Sequence, residues 1–247
     1  MHRLNVPSVQ HLARNWRSDP RKIQKILVDL ARNPPTFNYA PLFLAVRDML
    51  LFGIPYEQIV QGINSAVKRK EVSKNFLDIL PLIREHFLDV SPSFIQSVDR
   101  RYYPAGRGLM VPFDVPIIYG DGARIVLPWM TFWKRNPLSG EALSLFVTLV
   151  DEVIFQDPDL EDARFEIIDF SAPRKSEQRQ VVVTNSAEIP RLTDARKSEM
   201  LAIFAEGYFL AKATLAESGQ DRANEAPSKP RDPDQPDFFD DPSAGQG

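Results

Sequence analysis

The chain has 247 residues, a formal net charge of −3, and a composition that is 43% hydrophobic and 26% charged. Those fractions are ordinary for a globular protein, and the complete lack of cysteine excludes disulfides, zinc–thiolate sites, iron–sulfur clusters and a cysteine nucleophile. No apolar run approaches the ~18 residues of a membrane span, and Met1-His-Arg-Leu-Asn-Val-Pro7 lacks a secretory apolar core, so a cytoplasmic protein with no membrane partner is expected.

The first third reads as helices. Val9, Leu12, Ala13 and Trp16 share one helical face. Asp19 and Pro20 then start a second helix with Ile23, Ile26, Leu27 and Leu30 inward, which Asn33-Pro34-Pro35 stops. A third runs from about Ala40 to Phe52 and ends at Gly53. A fourth opens at Pro55 and closes on Lys68-Arg69-Lys70, cations suited to a helix C-terminus. A fifth spans about Val72 to Leu88, with Pro81 as a kink or interruption.

From Arg100 the texture changes. Arg101 to Gly108 reads as an aromatic, glycine-containing connector. Leu109–Tyr119 and Ala123–Trp133 read as strands joined by a Gly120-Asp121-Gly122 turn. Pro112, Pro116 and Pro128 lie inside these runs, so the strands should be edges or bulged. Ser139 to about Gln156 reads as a helix with Asp151 and Glu152 on its polar stripe. Arg164–Phe170 and Arg179–Thr184 read as two more strands, and a last helix ends near Glu217. The expected fold class is α+β: an N-terminal helical region (1–98), then a small antiparallel sheet with packed helices (99–217), as a second domain or one continuous core with the first.

Charge is unevenly spread. Residues 1–110 hold 16 lysines and arginines against 9 acids, while residues 218–247 hold 3 against 7. A basic end suits an anionic partner. Arg14, Arg17, Arg21, Lys22 and Lys25 on the first two helices would be phosphate contacts in a helix-turn-helix arrangement. Arg101, Tyr102, Tyr103, Arg107, Trp129, Trp133, Lys134 and Arg135 mix cations with rings of the kind that stack bases.

Signatures of catalysis are sparse. There is no phosphate-binding Gly-x-x-x-x-Gly-Lys-Ser/Thr loop and no Gly-x-Ser-x-Gly elbow, and three histidines give a Ser-His-Asp triad little support. Strand-borne Asp121, Glu166 and Asp169 with nearby Lys175 are an alternative catalytic set that would use Mg²⁺. The order of strands and helix resembles the restriction-endonuclease-like nucleases. Their acid-x-lysine signature is absent, since Glu166-Ile-Ile-Asp-Phe-Ser171 holds no lysine.

The last thirty residues, 218–247, hold too little apolar surface to offset ordering entropy and are expected to be a disordered acidic tail. Within it, Gln235-Pro236-Asp237-Phe238-Phe239 resembles the pentapeptide by which bacterial replication and repair proteins hold the sliding clamp. That resemblance implies a protein partner gripping Gln235, Phe238 and Phe239. Proline at the second place and phenylalanine at the fourth depart from the commonest form. The chain is thus expected to be a non-enzymatic adaptor without cofactor, docking through residues 235–239. A metal-dependent nuclease or inactive relative, and a DNA-binding protein using the basic helices, are the alternatives.

Overall fold

In the computed structural model, which describes residues 4–174 and 177–224 (side chains through 217), α1 (Val9–Asn15) buries Val9, Leu12 and Ala13. Asp19 accepts the Arg21 N–H at 2.9 Å and Pro20 occupies the first turn of α2 (Pro20–Arg32). Ile23, Leu27 and Val28 form its inward stripe. Gly53, at φ 58°, ends α3 (Ala40–Phe52) in the left-handed conformation that costs glycine least. The basic run Lys68-Arg69-Lys70, expected to close α4 (Tyr56–Ala66), lies in the turn beyond it, and Lys70 opens α5 (Lys70–His86). Pro81 sits within α5 without ending it.

Five strands follow: β1 (Ile95–Pro104), β2 (Met110–Asp121), β3 (Arg124–Thr131), β4 (Arg164–Asp169) and β5 (Val182–Asn185). They lie side by side in chain order. The first half of the stretch expected to be a connector, Arg101–Pro104, is therefore the end of an edge strand, β1. The expected antiparallel sheet is mixed: β3 and β4 run parallel, because α6 (Gly140–Ile154) carries the chain back to the end where β3 began. Val182–Asn185 is also shorter and later than the strand expected there. With seven helices among the described residues flanking this sheet, the fold is α+β.

The sheet is the middle of three layers. Leu127, Trp129, Phe165 and Ile167 face a core shared with α1, α2, α6 and the last helix, α7 (Asp194–Asn224). Val126, Met130, Ile168 and Phe170 alternate onto the opposite face, against α3, α4 and α5. On β2, Phe113 and Val115 join the first core while Ile117 and Tyr119 join the second. Residues of one parity cannot share a regular strand yet face both ways. An extra β2 residue opposite Gln96–Val98 makes the switch, at Pro116. α7 runs to Asn224, seven residues past its expected end, and its last buried side chain among the described ones is Leu215.

One irregularity positions the site below. β2 pairs with β3 over three residues only, Tyr119↔Val126 to Asp121↔Arg124. Continued, that register would set Ile117 against Pro128, which has no N–H to give the ladder, and Pro116 against Trp129 just where β2 bulges. The strands part instead. The expectation that these prolines mark edges or bulges holds at Pro116, beside the β2 bulge; β2 and β3 are both central, and Pro128 pairs in register with Glu166.

Candidate functional site

Where β2 and β3 separate, a cavity of about 220 Å³ opens between them. Gln10 of α1 and Phe43 of α3 reach it from either layer; Asp114 and Pro116 line it from β2, and Trp129 and Trp133 from β3 and its end. Trp129 is 7% exposed, stacks on Phe113 at 5.2 Å between centroids, and its buried Nε1–H has no acceptor among the described residues. The Arg14 guanidinium lies over the Trp133 ring, 4.9 Å from its centroid, and the His11 ring meets the same indole edge-on at 6.3 Å.

Cations lie on α1 against Trp133 and in the residues that follow it. Burial lowers the pKa of Arg14, and no acid or other acceptor bonds its guanidinium among the described residues. Lys134 and Arg135 follow Trp133, are exposed, and likewise lack a partner there. Burial also lowers the Arg179 pKa; its Nη1 donates to the Phe132, Trp133 and Phe170 carbonyls at 3.2, 2.8 and 2.9 Å, and its Nη2 to Asn75 Oδ1 at 2.7 Å. Arg179 thereby ties the ends of β3 and β4 to α5. His11, beside Arg14, is pulled down to about 4, chiefly by burial and then by that cation, and its Nδ1 is 2.8 Å from Ser8 Oγ.

The acids expected to form a metal site do not meet. Asp169 Oδ1 accepts from Thr131 Oγ1 at 2.8 Å and from the Ser171 N–H at 3.0 Å; its Oδ2 accepts from Asn136 Nδ2 and Ser171 Oγ, each at 3.0 Å. Its lone pairs are taken up in joining β3, β4 and the segments beyond them. Glu166 lies on the opposite face of β4, three residues away. It shares Arg164 with Asp121, at 2.9 and 3.4 Å, respectively. Burial raises the Glu166 pKa against the pull of Arg164, and burial, then Glu166, pushes Tyr119 up to about 12. Among the described residues no three His, Asp or Glu side chains come together as a metal-binding group. Lys175 lies outside the described residues.

Other expected residues take structural roles. Asp151 and Glu152 are not a solvated stripe: Asp151 pairs with Arg191, while Glu152 accepts from Tyr103 Oη at 2.7 Å and pairs with Lys197. Burial, then that hydrogen bond, pushes Tyr103 up to about 12. Arg101 pairs with Asp157 at 2.5 Å. Arg17 donates to the Arg14 and Trp16 carbonyls, at 3.2 and 2.6 Å, closing α1. Of the five N-terminal cations all but Arg14 are exposed, and Arg21, Lys22 and Lys25 lie on α2. Gln235, Phe238 and Phe239 lie outside the described residues.

A larger cavity of about 460 Å³ sits at the opposite end of the sheet, lined by Arg124, Asp151, Asp162, Arg164, Asn185 and Arg191. Three of these are already ion-paired, so its walls are fixed by internal pairs rather than aimed at a ligand. No helix among the described residues is long and apolar enough to cross a membrane. The chain matches none of the protein-family models, curated proteins or solved structures with which it was compared.

Proposed function

We propose that this protein is a cytoplasmic adaptor that docks a protein partner through Gln235, Phe238 and Phe239. The observation that carries the reading is where α7 leaves the body. Its last described buried side chain is Leu215, and the helix backbone runs on to Asn224. Nine further residues at about 1.5 Å each span about 13 Å, so the described helix extends well past its last buried contact. Beyond that point, two adjacent phenylalanines sit among acids and prolines. Paired rings suit a groove with two apolar pockets, a glutamine amide suits a polar rim, and Pro236 limits the entropy lost on binding. A bacterial sliding clamp has such chemistry in the resemblance noted above, and it is the partner we propose.

Support for an adaptor over a hydrolase comes from Asp169, whose four hydrogen bonds occupy the groups a metal or water would need. The test is binding of a peptide spanning residues 230–243, and of the full chain, to a purified bacterial clamp. Micromolar binding that disappears in Phe238→Ala/Phe239→Ala is expected. Absence of binding by both at high micromolar concentration overturns the reading.

A further inference from the structure

We infer that the cleft between β2 and β3 binds single-stranded nucleic acid, one base entering the slot while backbone phosphates meet Arg14, Lys134 and Arg135 at its mouth. Three independent features converge there. The first is size. A cavity of about 220 Å³ is smaller than the ~300 Å³ where drug-sized pockets begin. It has room for one planar ring system, and Phe43, Trp129 and Trp133 offer it aromatic walls. Bases stack on such walls with little regard to sequence.

The second feature is unmet hydrogen bonding. Trp129, which lines the cavity, keeps a buried N–H without an acceptor among the described residues, a costly state for a polar group. Gln10 brings an amide with both a donor and an acceptor. The edge of a nucleobase carries the matching groups. A phenylalanine ring carries none, which sets a base above an aromatic peptide as the occupant.

The third is charge. Among the described residues the Arg14 guanidinium has five donors and no acid partner, and Lys134 and Arg135, which follow Trp133 in the chain, are exposed and unpaired. The nearby acids already have partners of their own. Asp114 pairs with Arg100 at 2.6 Å, and Asp169 accepts four hydrogen bonds. The fold thus joins two basic segments that the sequence holds far apart, through the stacking of Arg14 on Trp133. This site does not depend on the tail, so a failure of clamp binding leaves it standing.

The experiment is fluorescence anisotropy of the full chain with labelled single-stranded DNA and RNA of about twelve nucleotides. Three cations on a single strand predict a log–log salt slope of about −2. In Lys134→Ala/Arg135→Ala, exposed positions that leave folding intact, that slope should shrink by about 1.4. An abasic strand of equal length should bind about tenfold more weakly, since a base stacked in the slot is lost. The DNA and RNA arms assign the sugar. No binding of either strand at about 50 mM salt, or equal affinity for the double variant, refutes the site. So does equal affinity for the abasic strand or for duplex, or displacement of the strand by the 230–243 peptide at matched concentration.

Discussion

Asp169→Ala is the substitution that most directly separates a scaffold from a catalytic centre. The carboxylate accepts the Thr131 and Ser171 hydroxyls, the Asn136 amide and the Ser171 backbone N–H, all within 3.0 Å. Hydrogen bonds to a charged group contribute about 1.5–3 kcal/mol each, but hydroxyls released from one bond find others, so the net cost should be about 4 kcal/mol. For a chain of this size that lowers Tm by about 8–16 °C. Asp169→Asn keeps one accepting oxygen and turns the other into a donor that faces Asn136 Nδ2. It should cost about 2 kcal/mol, half as much. Urea denaturation with an unchanged m-value measures both. If both variants stay within about 0.5 kcal/mol of wild type, Asp169 is not holding the strand ends together and is free for other work. In the same preparations, DNA or RNA incubated with Mg²⁺ or Mn²⁺ should give equal results for wild type and Asp169→Ala; cleavage by wild type alone would restore the nuclease alternative.

His11 has a folded pKa of about 4 against an ordinary 6.5, so protons bind the unfolded chain more tightly. Stability should therefore be full above pH 6.5, fall by about 1.4 kcal/mol per pH unit down to 4, and level off below; denaturation across that range should show a flatter curve for His11→Gln, and identical curves would refute the assignment. Gly207→Ala should destabilise by about 1–3 kcal/mol despite alanine's better helix propensity, because a Cβ there would lie 2.7 Å from both the Pro20 carbonyl oxygen and Ile23 Cβ. Calorimetry showing a raised Tm would mean α2 and α7 are further apart than described. Amide exchange should distinguish the two edges of β3: Leu127 and Trp129, whose N–H groups face β4, should be protected, and Met130, facing the cleft, should exchange faster. Equal protection at all three would mean the strands do not part.

Helices were legible because their apolar stripes serve local packing, and the hairpin because Gly122 takes the positive φ its turn needs. β1 was hidden for a physical reason. An edge strand whose pairing is twice irregular buries little, and Gln96, Ser97, Asp99 and Arg100 show no alternation because all four are exposed. The parallel pairing of β3 with β4 was hidden because strand direction is set by the crossover, not by the strand residues. Partners distant in sequence were least visible of all. Arg179 sits in what looks like the start of a strand, and nothing near it announces three carbonyls and an asparagine. Asp151 and Glu152 looked solvated because Arg191 and Lys197 arrive from forty or more residues away. The cleft left a trace that could have been read: once the hairpin register is fixed at Gly122, Pro116 and Pro128 fall one position out of register, against Trp129 and Ile117.

That trace explains why the opening is one-sided. Asp121 and Arg124 close a two-residue turn, so N–H groups of β3 point alternately toward β2 and β4, and those of Arg124 and Val126 point toward β2. Position 128 continues that series. The donor that proline lacks is therefore one that β4 never uses, and the parallel ladder passes Pro128 in register, opposite Glu166. On the other side the same loss coincides with the bulge at Pro116, and β2 turns away toward β1. The two rings Phe113 and Trp129 stack across the gap and hold its walls in the core below. A sheet opened by chance would expose its ladder along both edges. Here the gap is confined to one flank, lined by rings and finished with unmatched cations, the pattern expected where strand pairing has been given up for a ligand.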